Sequence, residues 1–269
     1  MIRRSLSITR CQLPPIMGLF IIFLLASCAT AAGTPQQIIN GAPGGTQATR
    51  TIVIQPTKTA QPAQPTQTAG IFTRPVTYVA LGASDAVGVG SDAPGSQGYV
   101  PLIAAHLSKG SHLLNLGVSG IRLHEALSEE LPLALSSSPD LITVWLVVND
   151  FVGGVTYQGY LQDLDTLLSQ LHTRTRAQIV MADIPDLTRL PAFANQSSAQ
   201  RSRMLAGIQQ WNKGIAQKAA QYGVTLLDLF GHGGELTSHP EYISGDGFHP
   251  SAAGYVQLAD LFLQAIRQH

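Results

Sequence analysis

At 269 residues, 45% hydrophobic and 12% charged, the chain can bury a full single-domain core, which excludes disorder over most of its length. Its formal charge of zero hides a partition: six of the sixteen Lys and Arg lie at or before Arg74, where there is no acid, leaving ten against all sixteen acids beyond it. The part after Arg74 is therefore about six units negative, a surface that repels phosphate backbones, and nucleic acid is not an expected partner.

The first stretch has the layout of a targeting segment. Arg3, Arg4 and Arg10 form a basic region, residues 16–25 an apolar one, and Leu25, Ala26, Ser27 and Cys28 a small-residue cleavage site ending in cysteine. The apolar run is shorter than the roughly 20 residues that a spanning helix needs. The cysteine ending resembles a bacterial lipobox. That resemblance implies a lipoprotein signal peptide at 1–27, lipid on Cys28, and a protein held outside the cytoplasm on the bacterial cell membrane; an uncleaved anchor and an ordinary secretory signal stand as alternatives, and both also export the domain. The only other cysteine is Cys11, inside the segment to be removed, so the exported domain is expected to carry neither a disulfide nor a thiol nucleophile. Residues 28–74, rich in Thr, Gln, Pro and Ala, read as a tether with a root-mean-square reach of about 35–40 Å. The apolar patch at 51–54 admits a second reading, a strand docked on the domain.

From residue 75 to 269, short β-type runs alternate with longer helical patterns, which predicts βα units around a parallel sheet. Strands are expected at 76–82, 113–116, 141–148, 178–182 and 224–229. Between them Val100, Ile103, Ala104 and Leu107 recur at helical spacing, as do Leu161, Leu164, Leu167, Leu168 and Leu171, then Met204, Ile208, Trp211 and Ile215. These stripes read as core. A last helix at 252–266 repeats the pattern and is expected to pack beside the first strand.

The first strand stops at Gly82 and presents Ser84 at its carboxyl end, the side on which open α/β sheets bind ligands. Ser84 is the candidate nucleophile. Asp246 and His249, three apart just before the last helix, can supply the orienting acid and the base that a serine needs. The second and third strands run into further polar turns, at 115–120 and at Asn149 and Asp150. In this order the blocks resemble the SGNH (GDSL-type) hydrolase family, over approximately 75–269. The resemblance implies a flavodoxin-like three-layer α/β/α fold with Ser84 as nucleophile, Asp246 and His249 completing the triad, and an oxyanion hole built from the Ser84 and Gly120 N–H groups and the Asn149 side chain. A glycine at 120 would let the backbone approach the oxyanion closely. Two positions depart from the pattern: Ala83 stands where the family has an acid before the serine, and Val147 where it has a glycine.

The expected activity is that of an exported serine esterase acting without a cofactor through an acyl-enzyme, on a small ester or an acylated glycan or lipid. Acyl transfer to another alcohol shares the first half of that reaction. The rival class is a catalytically weak lipoprotein that binds a glycan or lipid in the same cleft. Asp85 and Asp150 read as acids that bond their own loops. His232, His239, Asp246 and His249 match none of the common zinc spacings, and no metal is expected. In the apolar loop after the fourth strand, Leu187, Leu190 and Phe193 either line an acyl pocket or pin the loop to the core.

Overall fold

The structure, a computed structural model, describes residues 72–268; the signal segment, Cys28, the patch at 51–54 and nearly all of the tether lie outside the described residues. Among the described residues no helix is long and apolar enough to cross a membrane. In chain order the elements are β1 (Thr77–Gly82), α1 (Ser84–Val87), α2 (Pro94–Gln97), α3 (Tyr99–Ala105), β2 (His112–Asn115), α4 (Leu123–Glu129), α5 (Leu131–Ser136), β3 (Leu141–Trp145), α6 (Val148–Val152), α7 (Tyr157–Arg174), β4 (Gln178–Ala182), α8 (Ser198–Tyr222), β5 (Thr225–Leu227), α9 (Glu235–Ser238) and α10 (Ala252–Arg267). The five strands form one parallel sheet in the order β2-β1-β3-β4-β5.

This order follows from right-handed crossovers. The step from β1 to β2 runs one way across the sheet and every later step runs the other way, so α3 covers one face while α4, α5, α7 and α8 cover the opposite face. The packing agrees: α3 lies against α10, and α7 against α4, α5 and α8. With helices on both sides, an interior strand is buried on both faces, which is why β1 is a continuous apolar run instead of an alternating one. Tyr78, Val79, Ala80 and Leu81 are all fully buried. Burying a large apolar side chain of this kind contributes about 1.5–3 kcal/mol. The Tyr78 hydroxyl meets Thr143 Oγ1 at 2.8 Å, so two buried hydroxyls satisfy each other and tie β1 to β3.

Three expectations are corrected. The third strand ends at Trp145, not at 148, because its pairing stops at Gly82↔Trp145 and Val144↔Met181. Leu146, Val147 and Val148 stay buried as the chain turns into α6; their apolar character marks burial, not membership of the sheet. The fifth strand is shorter than expected, three residues at Thr225–Leu227. The main contacts of α10 are with α3, the 3-10 turn at Pro240–Tyr242, β5 and β4 in place of β1.

The chain leaves β1 for β2 on one side and later returns to β3 on the other. A crevice therefore opens beyond the carboxyl ends of β1 and β3, the switch point at which doubly wound sheets bind ligands. The segments that leave these two strands carry Ser84 and Asn149.

Candidate active site

Ser84 is the first residue of α1, directly beyond β1, and is 8% exposed. Its Oγ lies 2.9 Å from His249 Nε2. On the other side of the ring, His249 Nδ1 meets Asp246 Oδ2 at 2.5 Å. Asp246 Oδ1 accepts three more bonds, from Ser244 Oγ at 2.8 Å, Phe248 N at 2.8 Å and His249 N at 2.9 Å. Burial pushes this carboxyl up, but the bonds from His249, Phe248 and Ser244 outweigh it and hold Asp246 well below the usual carboxylate range. Asp246 is thus an ionised acceptor facing Nδ1, which leaves Nε2 as the nitrogen that can take a proton from Ser84.

The loop that presents His249 is closed by an antiparallel bridge between Ile243 and Pro250 and by Ser244 N donating to the His249 carbonyl at 2.9 Å. It meets the segment after α1 at Gly90, whose φ is +99°; a Cβ there would come within 2.4 Å of the Pro250 carbonyl. Tyr255, fully buried, donates its hydroxyl to the Val89 carbonyl at 2.6 Å. Neither Gly90 nor Tyr255 was singled out from the sequence. The signal for Gly90 was the Gly88-Val89-Gly90 run; for Tyr255, a phenol among the buried residues of an amphipathic helix, there was little to find.

Asn149 is in the first turn of α6, not in a turn ending the third strand, and its Nδ2 donates to the Ile121 carbonyl at 2.9 Å. Gly120 adjoins that carbonyl with φ +82°. A Cβ at Gly120 would meet no protein atom within 4 Å, so within the protein itself it is the left-handed backbone that favours glycine there. Among the described residues neither the Ser84 nor the Gly120 backbone N–H has an acceptor in the protein. Asp150 faces away from this group: it is 1% exposed and accepts the Leu123 N–H at 3.1 Å, anchoring the start of α4. Burial drives its carboxyl up to about 6.

Two hollows are lined in part by residues flanking the serine in sequence. The smaller, of about 10 Å³, is bordered by Ala83, Asp85, Ile121, Trp145 and Asn149, and holds one oxygen-sized group. The larger, of about 100 Å³, shares Asp85 and Trp145 with it and continues between Leu187, Leu190, Phe248 and Leu258. Its polar rim is His232, Glu235 and Gln257, with Glu235 bonded to both others. Leu187 and Leu190 line this cavity as the loop reading allowed, whereas Phe193 does not and packs edge-on against Phe248 with ring centroids 6.1 Å apart. Trp145, Phe248 and Leu258 were not expected as wall residues. Burial drives Asp85 up to about 6, with His249 opposing that rise and Asp246 adding to it. His232 pairs with Glu235 and His239 with Glu241, each apart from His249, and among the described residues no group of three or more His, Cys, Asp and Glu is gathered to hold a metal.

A family model described as the GDSL-like lipase/acylhydrolase family matches residues 80–257. Comparison with curated proteins by sequence returns no match. Among solved structures the chain is similar to TesA, at 22% identity and a TM-score of 0.57, over 71% of this chain and 98% of that one. It is also similar to an extracellular lipase from Streptomyces rimosus, at 22% and 0.56, over 70% and 99%. A third is the psychrotrophic esterase EstA from Pseudoalteromonas sp., inhibited by monoethylphosphonate in that structure, at 18% and 0.55, over 71% and 97%. At these identities the likeness shows the fold.

Proposed function

Because the chain belongs to the GDSL-like lipase/acylhydrolase family, we propose that it hydrolyses carboxylic esters through an acyl-enzyme on Ser84. The observation that carries this reading is the unbroken line from Ser84 Oγ to His249 Nε2 at 2.9 Å and from His249 Nδ1 to Asp246 at 2.5 Å. A serine hydroxyl is a weak nucleophile until a base takes its proton. His249 Nε2 removes that proton as Oγ forms a bond to the ester carbonyl carbon, and the carbonyl electron pair moves onto oxygen. The Ser84 and Gly120 N–H groups and the Asn149 amide stabilise that oxyanion, while Asp246 stabilises the imidazolium. When the oxyanion collapses, the carbon–oxygen bond to the alcohol breaks and the imidazolium gives its proton to the leaving oxygen. A water, activated by the same nitrogen, then releases the acid and regenerates Ser84.

The larger cavity supports a small acyl group as the part of the substrate that is buried, since about 100 Å³ is less than the ~150 Å³ of an apolar cavity that takes benzene. Simple esters and acylated glycans or lipids with short acyl groups fit this reading. Export and a lipid on Cys28 complete it, supported by Arg3, Arg4 and Arg10, the apolar run after them and the Leu25-Ala26-Ser27-Cys28 ending.

The inhibition of the Pseudoalteromonas esterase by monoethylphosphonate makes an alkyl fluorophosphonate the natural probe. It is expected to label wild-type protein at Ser84 and to leave Ser84→Ala unlabelled; a binding protein with no activated serine would be labelled in neither. For the anchor, Cys28→Ser is expected to move the protein out of the membrane fraction, and unchanged partitioning would point to an uncleaved segment.

A further inference from the structure

Glu130 follows the last residue of α4 and is 1% exposed. Its Oε2 accepts the Gly82 backbone N–H at 3.0 Å, two residues before Ser84. Its Oε1 is buried with no hydrogen-bond partner among the described residues. A buried carboxyl with half of its bonding capacity unused is costly, and the fold keeps it against one particular N–H. Gly82 closes β1, and the turn that follows is held from within through its carbonyls, with Ala83 O accepting from Val87 N and Ser84 O from Gly88 N and Val89 N. Ala83 occupies the N-cap of α1, offers only a methyl where Ser, Thr, Asp or Asn would bond the helix start, and makes no capping bond. Further support arrives from outside: Glu130 holds the backbone before Ser84, and Asn115 Nδ2 holds it after, bonding the Ala86 carbonyl at 2.6 Å.

We propose that Glu130 is a positioning residue for ester hydrolysis, clamping the Gly82 N–H so that the uncapped Ala83-Ser84 turn keeps the Ser84 Oγ on His249 and the Ser84 N–H on the oxyanion. This rests on the reading of Ser84 as nucleophile. Burial drives the Glu130 carboxyl up to about 8, the Gly82 N–H pulls it down and Glu129 adds to the rise; from α3, the Tyr99 hydroxyl is the other titratable group near it. At neutral pH the side chain is then an uncharged acid. It accepts the N–H without setting a negative charge behind the developing oxyanion.

The test compares purified wild type, Glu130→Leu, Glu130→Gln and Ser84→Ala for p-nitrophenyl butyrate hydrolysis from pH 6 to 10 and for the rate of fluorophosphonate labelling. Glu130→Leu is expected to lower kcat by about 10–10²-fold with KM within about twofold, and to slow labelling in parallel. Glu130→Gln, whose amide oxygen can accept the same N–H, should stay within about threefold of wild type at pH 7 and lack the fall in rate expected of wild type above about pH 8. Wild-type kcat in Glu130→Leu would overturn the proposal. Should that variant fail to fold, identical alkaline profiles for wild type and Glu130→Gln would overturn it. If Ser84→Ala is labelled or hydrolyses as wild type does, the reading of Ser84 fails instead.

Discussion

Asn149 donates an Nδ2 hydrogen to the Ile121 carbonyl at 2.9 Å, joining the first turn of α6 to the loop that carries Gly120. An amide nitrogen has two hydrogens. With one held by Ile121, the side chain is oriented before any substrate arrives, and it borders the oxygen-sized hollow that Ala83 and Asp85 also line. Asn149→Ala should therefore lower kcat by about 10²–10³-fold with little change in KM, because an oxyanion donor is felt in the transition state. A rise in KM alone would make Asn149 a substrate-binding residue.

Ser84→Ala and His249→Ala should each lower kcat by several orders of magnitude, and the double variant should be hardly worse, since the two groups act as a unit. Steady-state kinetics on purified protein measure this; additive losses would mean that the 2.9 Å contact between them has no part in turnover.

Asp85 bears on the pH profile. As the base, His249 must be neutral, so kcat/KM should rise with pH on the acid side, before the alkaline fall expected from Glu130. Burial drives the Asp85 carboxyl up to about 6 against the pull of the His249 ring, so it ionises within the acid limb. Replacing it by Asn removes that ionisation, and the shape of the acid limb should change. Identical acid limbs for wild type and Asp85→Asn would contradict the coupling.

Acyl-length preference should respond to the cavity wall and not to Phe193. Each buried methylene is worth about 0.8 kcal/mol, roughly fourfold in kcat/KM. Leu190→Trp, which fills the cavity, should lower kcat/KM progressively from acetyl through butyryl to hexanoyl esters. Phe193→Ala, which removes packing against Phe248, should lower thermal stability and change all three by a common factor.

Buried acids set how stability depends on pH. Burial raises Glu130 to about 8, Asp183 to about 7 and Asp150 to about 6. In the unfolded chain these groups ionise near ~4, so between about pH 4 and pH 8 the unfolded state binds fewer protons, and stability present below that window is lost as pH rises through it. Asp246, held low, acts in the opposite sense and loses its contribution as pH falls below about 4. The urea midpoint should thus be lower at pH 8 than at pH 5. Asp183→Asn, which can still accept the Leu229 and Phe230 N–H groups, should flatten the difference.

What the sequence by itself determined is what short-range chemistry controls. Apolar runs that end at glycine mark β1, and a period near 3.6 marks α7, α8 and α10, because burial imposes a pattern within one turn or one strand. Asp246 and His249 were legible as a pair because three residues of loop suffice to bring a carboxylate onto an imidazole. Only the tertiary structure decided the rest. The contact of Ser84 with His249 spans 165 positions, that of Gly82 with Glu130 spans 48, and the cavity joins residues from Asp85 to Leu261. No local pattern records such meetings. They arise where right-handed crossovers bring the carboxyl ends of β1 and β3 together, and there apolar residues such as Leu146 to Val148 continue a strand's composition after leaving its hydrogen bonds. Periodicity reports which side chains are buried; packing across the whole sheet settles against what.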